Sequence, residues 1–339
     1  MKKEILFGKK LTDIETIVKE NGLPRYATGQ ITAWLYKKSI TSIDEMTNLS
    51  KQGREKLAEK YNLGLSAPVK EVTSADGTKK YLFTTSNGKF VETAVIPERE
   101  RLTVCVSTQV GCRMGCVFCM TGKQGYHGNL STGDILNQIS SLPERQQITN
   151  IVYMGMGEPF DNLQHVLDSL EIISSDYGFA MSPRRITVST IGIIPAMRRY
   201  IEETNCHLAV SLHSPFEEER RKIMPVEKLH SLNDLVETIA EYDFGRQRRI
   251  SFEYIMLKGF NDMPRHVKEL ARLLNRVKCR INLIRFHPVP EVEYLPSDEK
   301  NMEVFKDALN DKGILTTIRQ SRGQDISAAC GMLSTKGIS

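Results

Sequence analysis

Several features that would place a protein in the membrane or outside the cell are missing from this 339-residue sequence. No apolar run is long enough to span a membrane. The basic stretch at residues 1–10 is not followed by an apolar segment, so no signal peptide is predicted. The seven cysteines are an odd number that cannot all pair, unlike those of a secreted disulfide scaffold. We therefore expect a soluble protein of the reducing cytoplasm, without a membrane partner.

Neither sign of charge is in large excess. The chain has 46 lysines and arginines against 41 aspartates and glutamates, which gives a formal net charge of +5. Basic residues gather at 184–185, 220–222 and 246–249. Such clusters are compatible with a polyanionic partner, but a charge run is usually a solvated face. Composition alone therefore leaves nucleic-acid binding open.

The first third of the chain changes from helical to strand-like patterning. Apolar residues at helical spacing predict three helices, at about 11–18, 27–36 and 51–61. Alternating segments on either side of Asn87-Gly88 predict a hairpin between residues 80 and 96. We expect three parts: a helical domain at 1–66, a β-hairpin linker region at 67–100 and a main domain at 101–339.

Strand-like and helical segments alternate in the main domain. Seven apolar runs predict strands at residues 104–107, 150–154, 186–190, 208–212, 250–255, 281–286 and 315–318. Amphipathic segments between most of them predict helices at residues 132–141, 163–174, 232–242, 266–277 and 301–312. This rhythm indicates an α/β fold of about six parallel β/α units in a full or partial barrel. In such folds the chemistry gathers at the C-terminal ends of the strands.

Three cysteines in a C-x3-C-x2-C arrangement carry the strongest chemical signal. Cys112, Cys116 and Cys119 follow the first strand of the main domain. Thiolates are the usual ligands of iron–sulfur clusters, and a set of three leaves one iron open to a substrate or cofactor. The alternative is a structural zinc ion, which needs a fourth ligand, and His127 is the only nearby imidazole.

Phe118 lies between the second and third cysteines. With this aromatic residue the motif resembles the C-x3-C-x-aromatic-C pattern of the radical S-adenosylmethionine (SAM) superfamily. The resemblance implies a [4Fe–4S] cluster whose open iron binds the amino and carboxylate groups of SAM. It also implies a one-electron cleavage of SAM that yields a 5′-deoxyadenosyl radical.

Small and polar residues follow the later strands, where they can reach a ligand. Gly155-Met156-Gly157-Glu158 closes the second strand with glycines and a carboxylate suited to the amino group of SAM. Ser189 and the stretch 211–213 end the next two strands. Near the C-terminus, Cys330 lies close in sequence to Arg319, and a neighbouring cation makes a thiol more nucleophilic by lowering its pKa.

The chain resembles the RlmN/Cfr group of radical-SAM RNA adenine methyltransferases over nearly its whole length. The resemblance lies in DEMTNLS at 44–50, FVET at 90–93, CVSTQVGC at 105–112, TGKQGY at 121–126, MGMGEP at 154–159, STIG at 189–192, SLHSP at 211–215 and RGQDISAACG at 322–331. The two additional cysteines, Cys105 and Cys330, exclude most other radical-SAM families. The resemblance implies a partial (β/α)6 radical-SAM barrel with a small N-terminal helical domain that binds RNA.

By this resemblance Cys330 carries the methyl group. One SAM methylates its sulfur, and a radical made from a second SAM takes a hydrogen from the S-methyl group. The methylene radical adds to an adenine ring, and Cys105 helps to resolve the covalent adduct as a Cys105–Cys330 disulfide forms, which thiol reduction resets. Glu92 matches a position assigned as a proton acceptor, with a surface carboxylate as the alternative. Either Cys105 or Glu92 takes the ring proton.

The remaining implied site residues bind SAM. The positions that match family contacts are Gly157, Glu158, Ser189, Ser211, Leu212, His213 and His287. His287 departs from the family, which usually has Asn there, although imidazole also donates or accepts a hydrogen bond. Further departures are Met120, Gly128, Gln324 and Met332.

The implied substrate is an unstacked adenosine of ribosomal RNA, with transfer RNA as a second substrate. The motifs at 123–126 and 322–323 resemble the C2-methylating RlmN branch, whereas 182–185 and 191–195 are nearer to the C8-methylating Cfr branch, and we favour C2. An electron donor such as a flavodoxin or ferredoxin is also implied. The alternative outside enzymes is a non-catalytic iron–sulfur or zinc protein that binds RNA.

Overall fold

Three helices form most of the N-terminal region of the structure, a computed structural model that describes residues 3–38, 40–245 and 248–335. They confirm the three predicted helices and are α1 (Leu11–Glu20), α2 (Ala27–Tyr36) and α3 (Lys51–Lys60). Two short strands, β1 (Glu4–Ile5) and β2 (Tyr61–Asn62), pair in parallel and join the two ends of the region. α3 begins after Ser50, because the Ser50 hydroxyl accepts a hydrogen bond from the amide of Gly53 at 3.1 Å.

The predicted hairpin is confirmed between residues 79 and 98. Three strands pair antiparallel here: β3 (Lys70–Thr73), β4 (Lys79–Thr84) and β5 (Phe90–Glu98). At the turn, Gly88 has φ 78°, a left-handed conformation that glycine adopts without strain. β5 pairs antiparallel with β6 (Arg101–Cys105), so the hairpin extends the sheet of the main domain. The domain boundaries drawn from the sequence stay a prediction.

The main domain alternates strands and helices as its pattern predicts. After β6 come β7 (Gln109–Gly111), α4 (Met120–Gln124), β8 (Tyr126–Asn129), α5 (Thr132–Ser140), β9 (Asn150–Tyr153), α6 (Leu163–Ser174), β10 (Ile186–Thr190), α7 (Ile194–Glu203) and β11 (His207–Ser211). These are followed by α8 (Glu217–Ile223), α9 (Leu232–Ala240), β12 (Ile250–Met256), α10 (Pro264–Leu274), β13 (Cys279–Arg285), α11 (Glu299–Asp311) and β14 (Leu315–Ile318). The sequence pattern misses α4, α7 and α8, of which α4 and α8 have only 5 and 7 residues.

One sheet holds ten of these strands. Its order is β14-β13-β12-β11-β10-β9-β6-β5-β4-β3, and the strands from β14 to β6 are parallel. Helices connect β6, β9, β10, β11, β12, β13 and β14 in chain order, which is the predicted succession of β/α units. In the described part of the chain β14 and β3 are the two edges, so the barrel is a partial one.

The central strands are buried on both faces. Every residue of β12 is buried, and Phe252 has no exposed surface. Amphipathic helices cover the sheet, and α10, for example, turns Val267, Leu270 and Leu274 towards the core. None of the described helices combines the length and the apolar character of a membrane span. Because the parallel strands end at one edge, the loops that follow them meet there.

Candidate functional site

A cavity of about 280 Å³ opens at the C-terminal ends of the parallel strands. Most residues that the sequence singles out line it, namely Cys105, Cys112, Cys116, Cys119, Gly157, Glu158, Ser189, Ser211, His213, His287 and Cys330. Two do not. Leu212 is fully buried in the hydrophobic core, and Glu92 is buried on β5. Residues more than 200 positions apart in the sequence therefore share one wall.

The cysteine loop (residues 112–124) folds through short-range backbone contacts. The amide of Cys119 donates to the carbonyl of Cys116 at 3.2 Å, and the amide of Cys112 donates to the carbonyl of Gly125 at 3.0 Å. Gly122 lies against this turn, because a Cβ there would be 3.2 Å from the carbonyl oxygen of Cys116. This fold directs all three thiols of the motif into the cavity wall.

Two thiols of the cysteine loop, those of Cys112 and Cys116, lie where a free thiolate is unfavourable. Burial raises the pKa of Cys112 to about 12 and that of Cys116 well above its ordinary value, and the neighbouring cysteines add to both shifts. A bound metal supplies the positive charge that deprotonates such thiols. Three sulfur donors on one loop, two of them buried and the third partly buried, fit a [4Fe–4S] cluster with one open iron.

The zinc alternative finds no support in the geometry. His127 is exposed and outside the cavity wall, and its Nε2 lies 3.3 Å from the carbonyl oxygen of Gln124. Across the described residues, no three His, Cys, Asp or Glu side chains converge closely enough to hold one metal ion. A single tetrahedral zinc ion requires such convergence.

Glu158 holds the ends of two strands together. Its carboxylate accepts hydrogen bonds from the Thr190 hydroxyl at 2.6 Å and from the amides of Phe160 and Ile191 at 3.0 and 3.1 Å. Burial raises its pKa to about 7, although these hydrogen bonds oppose the shift. Gly157 beside it has φ 99°, and a Cβ there would overlap β7. This explains both the glycine and the carboxylate at the end of β9.

His213 presents a neutral imidazole to the cavity. Its Nδ1 accepts a hydrogen bond from the amide of Ile255 at 3.0 Å, which leaves the ring proton on Nε2. Burial, with a contribution from the Arg220 cation, lowers its pKa to about 3. The ring packs edge-on against Phe118, with centroids 4.6 Å apart. The aromatic residue of the cysteine motif therefore contacts the loop that follows β11.

Arg220 lies beneath this region, although the sequence groups it with a solvated basic cluster. That interpretation is wrong for Arg220, which has no exposed surface, and holds for its two neighbours, which are exposed. Its guanidinium pairs with Glu227 and donates to the carbonyl oxygens of Ile191 at 2.8 Å and of Ser211 and Leu212 at 3.2 Å. One buried cation thus fixes the ends of β10 and β11.

Cys105 and Cys330 line the same cavity but do not form a disulfide bond. Cys105 lies opposite Ala94 in the β5–β6 pair and packs against Ala328. Burial raises the pKa of Cys105 to about 12, the charge of Cys330 adds to the shift, and the Arg319 guanidinium opposes it. Both thiols are free, so the disulfide implied by the family resemblance is absent from this structure.

The C-terminal segment (residues 320–335) touches the cysteine loop beside Cys330. The amide of Met120, next to Cys119, donates to the carbonyl of Gly331 at 2.8 Å. Gly331 has φ 80°, and a Cβ there would lie 3.0 Å from the carbonyl oxygen of Phe118. Only glycine allows this close approach without strain. Cys330 is therefore held at the edge of the cysteine loop.

Glu92 is neither at a sheet edge nor at the surface, which removes the alternative of a surface carboxylate. β5 lies between β4 and β6, and the residue is 5% exposed. One carboxylate oxygen is 2.9 Å from the ammonium of Lys80, and the other accepts a hydrogen bond from the amide of Ser334 at 2.9 Å. Both oxygens are thus engaged, one of them by the C-terminal segment.

His287 is engaged by the same segment. Its Nε2 is 2.7 Å from the Ser321 hydroxyl, and its Nδ1 is 2.7 Å from the side-chain amide nitrogen of Gln324. Burial and the nearby Arg285 cation lower its pKa, so the ring is neutral. Two departures from the family pattern, His287 and Gln324, are therefore hydrogen-bonded to each other.

Sequence reasoning missed a carboxylate in the cavity wall. Glu253 on β12 is 3% exposed, and its Oε1 accepts a hydrogen bond from Asn282 at 2.8 Å. Its Oε2 has no hydrogen-bond partner in the described structure and lies 3.9 Å from a nitrogen of Arg319. The sequence offered one sign of this residue's role, which is that Glu253 is the only charged residue in the strand β12.

Family models match two parts of this chain. Residues 106–274 match the radical SAM superfamily, and residues 6–63 match the ribosomal RNA large subunit methyltransferase N-terminal domain. Superfamily members use a [4Fe–4S] cluster and SAM, and the donor set of the cysteine loop fits that cluster.

Full-length relatives extend this likeness. A protein of Bacteroides thetaiotaomicron named "Probable dual-specificity RNA methyltransferase RlmN" is 54% identical over 335 residues, covering 99% of this chain and 97% of that protein. A protein of the same name from Phocaeicola vulgatus is 53% identical, covering 98% and 95%. The crystal structure of a radical SAM methyltransferase from Sphaerobacter thermophilus superposes with a TM-score of 0.91 at 38% identity, covering 97% of this chain and 99% of that one. The chain therefore belongs to the radical SAM superfamily and, within it, to the RlmN family of RNA methyltransferases.

Proposed function

We propose that this protein methylates an adenosine carbon of RNA, C2 in preference to C8, through an S-methylcysteine on Cys330. The observation that carries the proposal is the hydrogen bond between Met120 and Gly331, which holds Cys330 beside the cysteine loop. Cys105 lines the same cavity, so the arrangement supplies two thiols in addition to the three that suit a cluster. The RlmN names of the relatives favour C2 over the C8 alternative.

The chain's own residues would hold both cofactors. Cys112, Cys116 and Cys119 would ligate three irons of the cluster. The residues that form or support the wall that would bind SAM are Gly157, Glu158, Ser189, Ser211, Leu212 and His213. The Nε2–H of His213 would be a donor, and Leu212 supports the wall through the hydrogen bond from its amide to the carbonyl of Glu253 at 3.0 Å. When bound, the cluster and SAM supply a reductive cleavage that gives a carbon-centred radical.

Cys330 and Cys105 would act on the substrate. The sulfur of Cys330 takes the methyl group and presents it in the cavity, because Gly331 is fixed against the cysteine loop. Cys105 lies at the cavity wall and Glu92 does not, which favours Cys105 as the group that takes the ring proton. The Cys105 thiol must lose its own proton before it can act as a base, and the Arg319 cation, which opposes the rise in its pKa, favours that thiolate.

The substrate class follows from the N-terminal match and the relatives' names. We infer ribosomal RNA as the main substrate and transfer RNA as a second one, since the relatives are named dual-specificity RNA methyltransferases. The target base must leave its stack to enter a cavity at the strand ends. Part of one basic cluster, residues 246–247, lies outside the described residues.

We further infer an electron donor such as a flavodoxin or ferredoxin, and the cytoplasm as the location.

Nucleoside mass spectrometry tests the proposal. Ribosomal and transfer RNA from a strain lacking this gene should lose 2-methyladenosine, and wild-type protein but not a Cys330→Ala variant should restore it. Appearance of 8-methyladenosine instead would establish the C8 alternative, and an unchanged set of nucleosides would contradict both.

Peptide mass spectrometry separates the enzyme from a non-catalytic RNA-binding protein. Protein isolated with its cluster intact should carry a methyl group on Cys330. An unmodified thiol in such protein would favour the binding protein.

A further inference from the structure

Two aspartates join the turn before β4 to the C-terminal segment. Asp76 Oδ2 accepts a hydrogen bond from the amide of Gly323 at 2.9 Å. In the opposite direction, the Asp325 carboxylate accepts from the Ser74 hydroxyl at 2.5 Å and from the amide of Ala75 at 3.1 Å. These residues are about 250 positions apart in the sequence, and neither aspartate lines the cavity.

The turn between β3 and β4 is also held by hydrogen bonds of its own. Asp76 Oδ1 accepts a hydrogen bond from the amide of Thr78 at 2.9 Å, and the amide of Asp76 donates to the Ser74 hydroxyl at 3.3 Å. Gly323 meets this turn with φ 63°, and a Cβ on it would lie 2.9 Å from Cγ2 of Thr78. A carboxylate that accepts backbone amides in a fixed turn forms a charge-assisted and directional contact.

From Gly323 the segment folds directly back to the cavity. The amide of Ala328 donates to the carbonyl of Gly323 at 2.7 Å, and Ala328 packs against Cys105. Cys330 follows two residues later and is fixed on its other side through Gly331. The path from the turn to Cys330 therefore contains two anchors, one on the turn between β3 and β4 and one on the cysteine loop.

We propose that Asp76 and Asp325 are positioning residues that set the place of Cys330 in the cavity. The three antiparallel strands β3, β4 and β5 are then a support for the methyl-carrying segment as well as an extension of the sheet. This inference rests on the proposed function only for the role of Cys330 as methyl carrier. The anchoring itself rests on the hydrogen bonds.

A graded set of variants of the full-length protein tests it. Asp76→Ala removes both carboxylate oxygens, which accept from the amides of Thr78 and Gly323. Asp76→Asn keeps one oxygen and should give exchange rates and kcat values between those of wild type and Asp76→Ala. Asp325→Ala removes the reverse contact. Asp311→Ala, an exposed aspartate at the end of α11, is the matched control for loss of a surface carboxylate.

Two measurements are made on each variant. Hydrogen exchange of the peptide covering residues 320–330 should become about tenfold faster in Asp76→Ala and stay at the wild-type rate in Asp311→Ala. The kcat for RNA methylation should fall about tenfold while the KM for RNA stays unchanged, because a displaced Cys330 affects the chemical step and not RNA binding. An unchanged exchange rate, or faster exchange with kcat within about twofold of wild type, would overturn the proposal.

Failure of the proposed function gives a different result. If wild-type protein makes no methyladenosine and Cys330 carries no methyl group, the rate of Cys330 alkylation by iodoacetamide replaces kcat as the readout of position. A change of about threefold or more in Asp76→Ala then supports the positioning role, because Cys330 is exposed and its reactivity depends on its place beside Arg319. An unchanged rate refutes it.

Discussion

The cysteine loop and the C-terminal segment reach the same cavity, yet different contacts hold them. Backbone hydrogen bonds within and next to the loop join residues 3 to 13 positions apart, such as Cys119 to Cys116 and Cys112 to Gly125, and one longer contact joins the Val117 amide to the carbonyl of Ile223 at 3.1 Å. The segment is held by partners that are distant in the sequence: Asp76 and Glu92 lie more than 200 positions from the residues they contact, and His287 lies 34 and 37 positions from its partners. The first kind of geometry is encoded in a short motif, whereas the second exists only after the sheet has formed.

The two regions also differ in how much they tolerate change. The loop depends on the chemistry of its thiols, because thiolates are the usual ligands of a [4Fe–4S] cluster and alanine offers no donor in their place. The segment depends on several contacts of modest strength, each worth about 1 kcal/mol or a little more. We therefore expect all-or-none effects in the first region and graded effects in the second.

Loss of one loop thiol should have the largest effect. Cys116→Ala should abolish iron binding at the expected stoichiometry and RNA methylation with it, as measured by iron content, visible absorbance and nucleoside mass spectrometry. Cys206→Ala removes an equally buried thiol of the hydrophobic core and should keep both. Full activity of the Cys116 variant would show that the loop does not ligate the cluster.

Breaking the buried ion pair behind the loop should come next. Arg220→Met leaves the Glu227 carboxylate buried and unpaired, so the free energy of unfolding should fall by about 3–5 kcal/mol in urea titrations. Arg221→Met, at the exposed neighbouring position, should change it by less than about 0.5 kcal/mol. Equal effects of the two variants would contradict the structural role of Arg220.

Alanine substitutions at two glycines with the same φ distinguish the cost of backbone strain from the cost of a steric clash. One of them, Gly331, lies where the cysteine loop and the C-terminal segment meet. Gly331 and Gly313 both have φ 80°, so alanine at either should cost about 1–2 kcal/mol of stability. Only at Gly331 does the added Cβ also meet Phe118, whereas Gly313 has open space. Gly331→Ala should therefore lower kcat about tenfold. Gly313→Ala should leave kcat unchanged, and equal kcat values would show that the close approach does not matter for catalysis.

The smallest effect should be the pH dependence of the stability that the Asp76 contact with Gly323 contributes. Burial alone raises the pKa of Asp76, but hydrogen bonds from Gly323 and Thr78 outweigh it and lower the pKa from 3.8 to about 2. A depressed carboxyl pKa stabilises the folded state fully above about 3.8, and this contribution is lost as the pH falls through about 2. Because Asp76 is exposed, the contribution is less than about 1 kcal/mol.

A comparison of wild type with Asp76→Asn between pH 5 and pH 2 measures this contribution. The stability difference between the two proteins should shrink as the pH falls, in thermal unfolding followed by circular dichroism. A constant difference over this range would show that the ionised carboxylate does not stabilise the contact.

The elements of the fold were largely accessible from the sequence because their signals are periodic. All seven strands predicted for the main domain are present, and β10 and β14 have the predicted bounds. The short helices α4 and α8 were missed, because five or seven residues hold too few turns for a helical period to be visible.

Individual contacts were less accessible. Arg220 looks like part of a charged surface run, and nothing in its local sequence indicates that it lies under two strand ends. Glu253, Asp76 and the pairing of His287 with Gln324 likewise have no local pattern. The partners of Glu253, His287 and Asp76 are 29, 37 and 247 positions away, on a neighbouring strand or in the C-terminal segment.

The sequence by itself indicated the cofactor chemistry and the family, because three thiols in eight residues and two further cysteines in motifs that resemble the family's are local facts. It also determined the alternation of strands and helices. Only the tertiary structure decided that Cys105 and Cys330 share a cavity, that Glu92 is engaged at both oxygens, and that the turn between β3 and β4 holds the C-terminal segment. The physical reason is that these contacts join residues about 200 or more positions apart, or on neighbouring strands, and sequence spacing does not encode such distances.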